Sequence, residues 1–181
     1  MSELLRADEL SPIGGSWTGH LFENPAVSYQ RALTWSFTID FASVDRDFGS
    51  VSPSLTIDWA PLPNPTWHSI SGHRIAGEMF GEPIETSIYF FEHYRYDRVE
   101  LTVIEQQTDS IDINANVAGD IDGLGIAELS IETTLSFGGI YVQLDEVGTN
   151  VEAAESRLAQ FTDIAGLRGG ARGRNVVFEV A

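Results

Sequence analysis

The sequence predicts a mainly β, single-domain protein, an antiparallel β-sandwich or partly closed β-barrel with one C-terminal α-helix packed on it. Three observations lead to this prediction. Apolar and polar residues alternate with a period of two in several stretches, turn residues separate these stretches, and a helical pattern occurs near the C-terminus. A chain of 181 residues can bury a core without disulfides or structural metal, so we treat residues 1–181 as one domain.

The clearest strand runs from Leu33 to Phe41, where odd positions are apolar and even positions are polar. The same alternation covers residues 110–117 and 54–59, and in the latter it places Trp59 on the apolar face. Such patterns are typical of half-buried strands in antiparallel sheets. Weaker strand patterns cover residues 16–22, 67–75 and 176–180.

Two hairpins are expected. Alternating residues 127–137 and 140–144 flank Gly138 and Gly139, and this predicts a tight turn at the glycines. Residues 86–106 predict a second hairpin with its tip near residues 94–97, and its first arm is apolar on both faces, as in a covered strand.

The helical pattern begins with a capping box formed by Thr149 and Glu152. Ala154, Leu158 and Phe161 then fall on one face, which we expect to lie across an open end or face of the sheet.

Two segments are expected to be less ordered. Residues 1–12 form a loose N-terminal segment, and residues 164–175 form a flexible loop rich in glycine and arginine. The arginines of this loop are expected to pair with the acidic surface of the chain itself.

The chain contains no lysine. It has ten arginines and 27 carboxylates, which gives a net charge of −17 and a pI near 4.3. Such a charge repels phosphate backbones and anionic lipids and attracts basic proteins. The sequence therefore predicts a basic protein partner, no nucleic acid and no membrane. Adaptation to concentrated salt, or genome composition, would produce the same acidity.

No apolar stretch is long enough for a membrane-spanning helix. Glu3, Asp8 and Glu9 stand where a secretory leader needs a basic start and an apolar run, so we expect a cytoplasmic location.

Several reaction classes are excluded by composition. Without cysteine there is no disulfide, thiolate zinc site, thiol nucleophile or iron–sulfur cluster, and without lysine there is no P-loop. Trp17 occupies the position where a nucleophile elbow needs serine, and Leu129 occupies the twelfth position of an EF-hand register through Asp120 and Gly123. No cofactor is predicted, and a non-enzymatic role is favoured over an enzymatic one.

Histidines supply the ligand or metal candidates, which are His68, His73 and His93 together with Glu92. His68 and His73 are five residues apart in an expected strand, so their side chains point to opposite faces. Glu92, beside Phe91, is also the candidate acid for glycoside hydrolysis.

Aromatic and arginine side chains supply the partner-binding candidates, because these residue types are enriched in interaction hot spots. Two tryptophans bracket a proline-rich segment, and tyrosines and arginines crowd the second hairpin. The candidates are Trp59, Trp67, Tyr89, Tyr94, Arg95, Tyr96 and Arg98.

These observations favour a non-enzymatic acidic binding protein that docks onto a basic protein, most concretely an immunity or inhibitor protein. The alternative is a β-barrel that binds a small ligand, a sugar or a metal, with hydrolase or isomerase activity. A structural or assembly subunit is the second alternative.

Overall fold

The computed structural model describes residues 5–62, 67–78 and 84–181. It is mainly β, with 61% of residues in strands and a closed barrel of seven strands that carries additional strands. The predicted fold class is confirmed. Within the described ranges one α-helix is present, and no helix is long and apolar enough to cross a membrane.

The strands are β1 (Pro12–Asn24), β2 (Tyr29–Phe41), β3 (Val44–Arg46), β4 (Gly49–Val51), β5 (Ser54–Ala60), β6 (Arg74–Glu78), β7 (Glu85–Phe90), β8 (Glu92–Gln106), β9 (Ser110–Asp120), β10 (Glu128–Gln143), β11 (Leu167–Arg172) and β12 (Asn175–Val180). The helix α1 is Val151–Leu158, and short 3-10 helices lie at Ala7–Glu9 and Pro25–Val27.

The barrel follows the order β1-β2-β5-β7-β8-β9-β10, with antiparallel neighbours throughout. It closes through a parallel pairing of β1 with β10. Seven strands that alternate in direction bring the first and last into the same direction, so one parallel seam is unavoidable. β6 pairs beside β8, β12 and β11 extend the sheet from β10, and β3–β4 is a separate hairpin.

Large side chains fill the barrel. Trp17 and Trp35 are fully buried with ring centroids 5.3 Å apart, and Phe137 packs on Trp17 at 4.7 Å. A Cβ atom on Gly19 would lie 3.1 Å from Ile140 and 3.2 Å from Trp35, so glycine provides the space for the second indole.

The predicted hairpin at Gly138 and Gly139 is wrong, because β10 continues through both glycines as one strand. A register shift between Trp17 and Gly19 on β1 accommodates them, and Gly139 has a φ of 92°. A Cβ on Gly138 would lie 2.5 Å from the Thr18 side chain. The glycines allow close approach at the parallel seam instead of forming a turn.

The hairpin expected over 86–106 is present, but its tip is at Phe91 between β7 and β8 rather than at 94–97. The strand expected over 67–75 begins only at Arg74. The alternation of apolar and polar residues identifies the strands but not their ends, because the point where a strand ends depends on the strands that it pairs with.

The helix prediction is confirmed with a shifted start. Asn150 is the N-cap in place of Thr149, and its side chain accepts a hydrogen bond from the Ala153 N–H at 3.0 Å. Ala154 and Leu158 are buried as expected, and α1 packs against β11.

Both segments expected to be loose contain ordered elements. Leu5 and Leu10 are buried in the core on either side of a 3-10 helix, so the described part of 1–12 is anchored. Within 164–175, β11 occupies Leu167–Arg172, and its backbone pairs with β12 because the intervening Gly173 adopts a left-handed turn conformation. Arg172 does pair with an acid of its own chain, Glu179, at 2.8 Å.

Candidate functional site

The predicted partner-binding residues lie at very different depths. Trp67 and Tyr96 are only 4% and 1% exposed. The Trp67 ring stacks on Phe137 at 4.8 Å, and the Tyr96 hydroxyl donates a hydrogen bond to the Ile126 carbonyl at 2.8 Å. Tyr94 is half-buried and packs against the core. These three residues support the fold and offer little surface.

Tyr89, Arg95 and Arg98 are exposed on β7 and β8. The ring of Tyr89 lies 5.2 Å from that of His93, and the register places His93 and Arg95 on the same outer face. Arg95 binds both carboxylate oxygens of Asp122 at 2.7 and 2.8 Å, and this hydrogen bonding holds the pKa of Asp122 at about 2. The charge of Arg95 is therefore neutralised within the chain.

The predicted histidine ligands occupy separate local contacts. His68 Nε2 lies 3.1 Å from Asp163 Oδ2, and His73 Nδ1 lies 3.1 Å from the Ile70 carbonyl oxygen. A backbone N–H and then the His68 contact lower the pKa of Asp163. His93 stands on the outer face of β8.

Glu92, the remaining ligand candidate, is an exposed residue at the start of β8 and lacks the apolar enclosure that a glycosidase acid requires. In the described part of the chain, no group of three or more His, Asp or Glu side chains is placed to hold a metal ion.

Two exposed phenylalanines meet where hairpins β3–β4 and β7–β8 end. Phe48 is 65% exposed, Phe91 is 37% exposed, and their rings lie 4.9 Å apart. The buried Phe90 ring lies 5.0 Å from the Phe91 ring. The Arg46 guanidinium lies 5.2 Å from the centre of the Phe90 ring. We call Phe48 and Phe91 the hairpin-tip patch. Exposed carboxylates lie within three residues of these phenylalanines in the sequence, namely Asp45, Asp47 and Glu92.

Phe91 has a φ of 60°. This left-handed conformation costs a bulky residue about 1–2 kcal/mol. It forms the one-residue turn between β7 and β8 and holds the ring at the surface. Strain of this kind, in a residue that contributes little to the core, is a reason to consider a functional role.

A second feature is a cleft of about 170 Å³ on the outside of the barrel. It lies over β1, β2, β5 and β10, and we call it the outer cleft. Burial lowers the pKa of His20 in this cleft although Asp58 opposes the shift, so the imidazole is uncharged at neutral pH. The lining residues are His20, Phe22, Ser36, Asp58, Trp59 and Gln143.

Trp59 reaches the outer cleft because β5 contains a bulge. On β2 and β5, Trp35 pairs with Ala60 and Phe37 pairs with Ile57. Two residues of β5, Asp58 and Trp59, therefore lie opposite a single residue of β2, Ser36. Trp59 has a φ of 63°. The expectation that Trp59 shares the buried face of β5 is wrong, because the bulge turns its ring outward and Ala60 takes the buried position.

Phe48 and Asp58 are site residues that the sequence prediction did not include. Phe48 had a usable signal, since an aromatic residue between Asp47 and Gly49 stands in a turn, where burial is poor. Asp58 carried none, because it is simply a polar residue in an alternating strand.

Comparison of the chain with protein-family models, with curated proteins and with solved structures finds no match.

Proposed function

We propose that this protein is a non-enzymatic binding protein that docks onto a basic protein through the hairpin-tip patch. The observation that carries the proposal is the contact between two exposed phenylalanines, Phe48 and Phe91, on separate hairpins flanked by carboxylates. Aromatic side chains are enriched in protein interfaces, and the rim that surrounds the apolar centre is polar and solvent-accessible.

Charge supports a basic partner. A net charge of −17 accelerates the approach of a cationic surface and disfavours acidic competitors. Asp45, Asp47 and Glu92 extend this field to the edge of the patch. The concrete case is an inhibitor or immunity protein for an enzyme whose active site binds phosphate, since such active sites are basic.

The packing of the barrel argues against the alternative of a ligand held inside it. Trp17, Trp35 and Phe37 are fully buried in the interior, where a lipid- or sugar-binding barrel would keep a cavity. A small ligand of this protein would bind on the outside.

The test is affinity capture from the native lysate with a tagged chain at low and at high salt. The binding variant is Phe48→Ser combined with Phe91→Asn, because asparagine tolerates a left-handed φ. The matched control is Ile104→Ser, which removes another exposed apolar side chain from β8. We expect a basic protein that the wild type and the Ile104 variant capture, that the patch variant loses, and that salt weakens.

Cross-linking locates the interface. A carbodiimide joins carboxylates to amines, and this chain has no lysine, so a cross-link between its carboxylates and a lysine reports a partner. We expect cross-links from Asp45, Asp47 or Glu92. Equal capture by the patch variant and the wild type, or cross-links confined to Glu128 and Glu132 on β10, would overturn the proposal.

A further inference from the structure

We propose that the outer cleft binds a small organic cation, an alkylammonium head group, with Asp58 as its counter-ion and with Phe22 and Trp59 as its aromatic wall. This site is separate from the hairpin-tip patch. It lies over β1, β2, β5 and β10, whereas the patch lies at the ends of the β3–β4 and β7–β8 hairpins.

The outer cleft contains a carboxylate that has no counter-ion among the described residues. Asp58 is half-buried, and its side chain forms no hydrogen bond or ion pair within residues 5–62, 67–78 and 84–181. Its cross-strand neighbour in the register of β5 and β7 is another carboxylate, Glu85. Like charges directly opposite each other destabilise a sheet, and a bound cation would remove that repulsion.

No protein cation forms an ion pair with Asp58 in the described structure. Arg95 lines the neighbouring pocket with Asp58 and Glu85, and it interacts electrostatically with Glu85. Its guanidinium is hydrogen-bonded to Asp122 at 2.7 and 2.8 Å. His20 is uncharged at neutral pH because burial lowers its pKa. The cleft therefore carries negative charge and does not repel a cation.

Two aromatic rings line the outer cleft beside this carboxylate. Phe22 and Trp59 have centroids 4.8 Å apart and planes tilted by 55°, so they form a corner. Tyr29 supports this corner by stacking on Phe22 at 4.8 Å. The face of an aromatic ring attracts an ammonium or methylated ammonium group, and tryptophan does so most strongly.

Size restricts the ligand to a head group. The cleft holds about 170 Å³, which corresponds to roughly six water molecules. Pockets for drug-sized ligands are larger, at about 300–1,000 Å³. Ser36 and Gln143 also line the cleft and add side-chain oxygens, which suit a cation.

The backbone of β5 brings the carboxylate and the indole together. In a regular strand Asp58 and Trp59 would point to opposite faces of the sheet. The bulge, with a φ of 63° at Trp59, places the carboxylate and the indole on the same outer face. This conformation costs about 1–2 kcal/mol in a bulky residue. The strain brings together the two groups that a cation site needs.

The test is a titration of the full chain with choline and with tetramethylammonium, followed by NMR shifts of the backbone amides and tryptophan indoles. The neutral carbon analogue of choline, with a quaternary carbon in place of nitrogen, tests the need for charge. Asp58→Asn removes the counter-ion and retains the shape. Asp40→Asn, on the exposed side of β2, is the matched control. Trp59→Gly removes the indole, and glycine adopts the positive φ without strain.

We expect saturable binding that moves the Trp59 indole resonance, with affinity about tenfold lower for Asp58→Asn and for Trp59→Gly and unchanged for Asp40→Asn. The neutral analogue should bind at least about tenfold more weakly than choline. An unchanged Trp17 indole resonance confirms that each variant is folded.

A second arm identifies the source of the head group. A peptide that contains trimethyllysine should bind more tightly than choline if a protein supplies the cation, and no more tightly if a free compound does. Either result supports an alkylammonium site. Equal binding of choline and its neutral analogue, equal loss with Asp58→Asn and Asp40→Asn, or no saturable binding of any probe would overturn the proposal.

Discussion

The ion pair between Glu9 and Arg46 joins the N-terminal segment to the β3–β4 hairpin that carries Phe48. Arg46 Nη1 lies 3.0 Å from Glu9 Oε1, and Nη2 lies 2.8 Å from Oε2. The side chains are 5% and 19% exposed, respectively. A bidentate ion pair that is so little exposed to solvent should stabilise the fold far more than an ordinary surface salt bridge.

The perturbation is Glu9→Gln, which removes the charge and retains the shape. The hydrogen bond from Arg46, followed by one from the Arg6 backbone N–H, lowers the pKa of Glu9 from 4.5 to about 2. A shift of this size corresponds to about 3 kcal/mol of unfolding free energy at neutral pH. Because Glu9 retains contact with solvent, we expect the variant to lose about 2 kcal/mol.

The pH dependence has a definite sign. Glu9 remains ionised in the folded state down to a pH of about 2, whereas in the unfolded chain it takes up a proton near its ordinary pKa of 4.5. The stabilisation that Glu9 provides is therefore complete above its ordinary pKa and declines as the pH falls toward its pKa in the folded state. The stability difference between wild type and Glu9→Gln should shrink over this range.

The assay is urea unfolding followed by tryptophan fluorescence, at neutral pH and at several acidic values. Glu100→Gln is the matched control, because the Glu100 pair with Arg74 is solvent-exposed, and it should cost much less. A loss of stability for Glu9→Gln that is the same at neutral and strongly acidic pH, or no greater than that of the control, would show that the ion pair does not stabilise the fold in this way.

Three further predictions concern the core and the helix. Gly19→Ala should lower the free energy of unfolding in urea by about 1–3 kcal/mol, because the added Cβ would press on buried side chains. Gly170→Ala is the control and should change stability little, since nothing lies within 4 Å of the added atom. Equal losses of stability in the two variants would contradict this packing. Tyr96→Phe should cost about 1–2 kcal/mol by leaving the Ile126 carbonyl unpaired. Burial raises the pKa of Tyr96, so wild-type stability should also fall above about pH 10, and this fall should be smaller in the variant. Asn150→Ala should lower the free energy of unfolding by about 1 kcal/mol in a thermal melt, and an unchanged melting temperature would show that the cap contributes nothing.

Much of the fold was predictable from local pattern. Period-two alternation identified the strands around Leu33–Phe41 and 110–117, and the spacing of Ala154 and Leu158 identified the buried face of α1. These predictions succeed because side-chain direction within one strand or helix is a local property of the backbone.

The candidate sites were predictable only in part. Tyr89 and Arg95 lie on the surface, whereas Trp67 and Tyr96 are buried, and residue type alone cannot separate these cases. Aromatic side chains serve equally well as core filling and as interface anchors. Their burial depends on which strands and loops cover them.

Composition and the period of the backbone account for the β class, the strong negative charge and the absence of cysteine and lysine chemistry. Three features arise only when the chain is folded, namely that the barrel closes, that Phe48 meets Phe91, and that Trp59 turns outward beside Asp58. These features depend on contacts between residues far apart in the chain and on left-handed backbone at two non-glycine residues. No local alternation pattern encodes either of them.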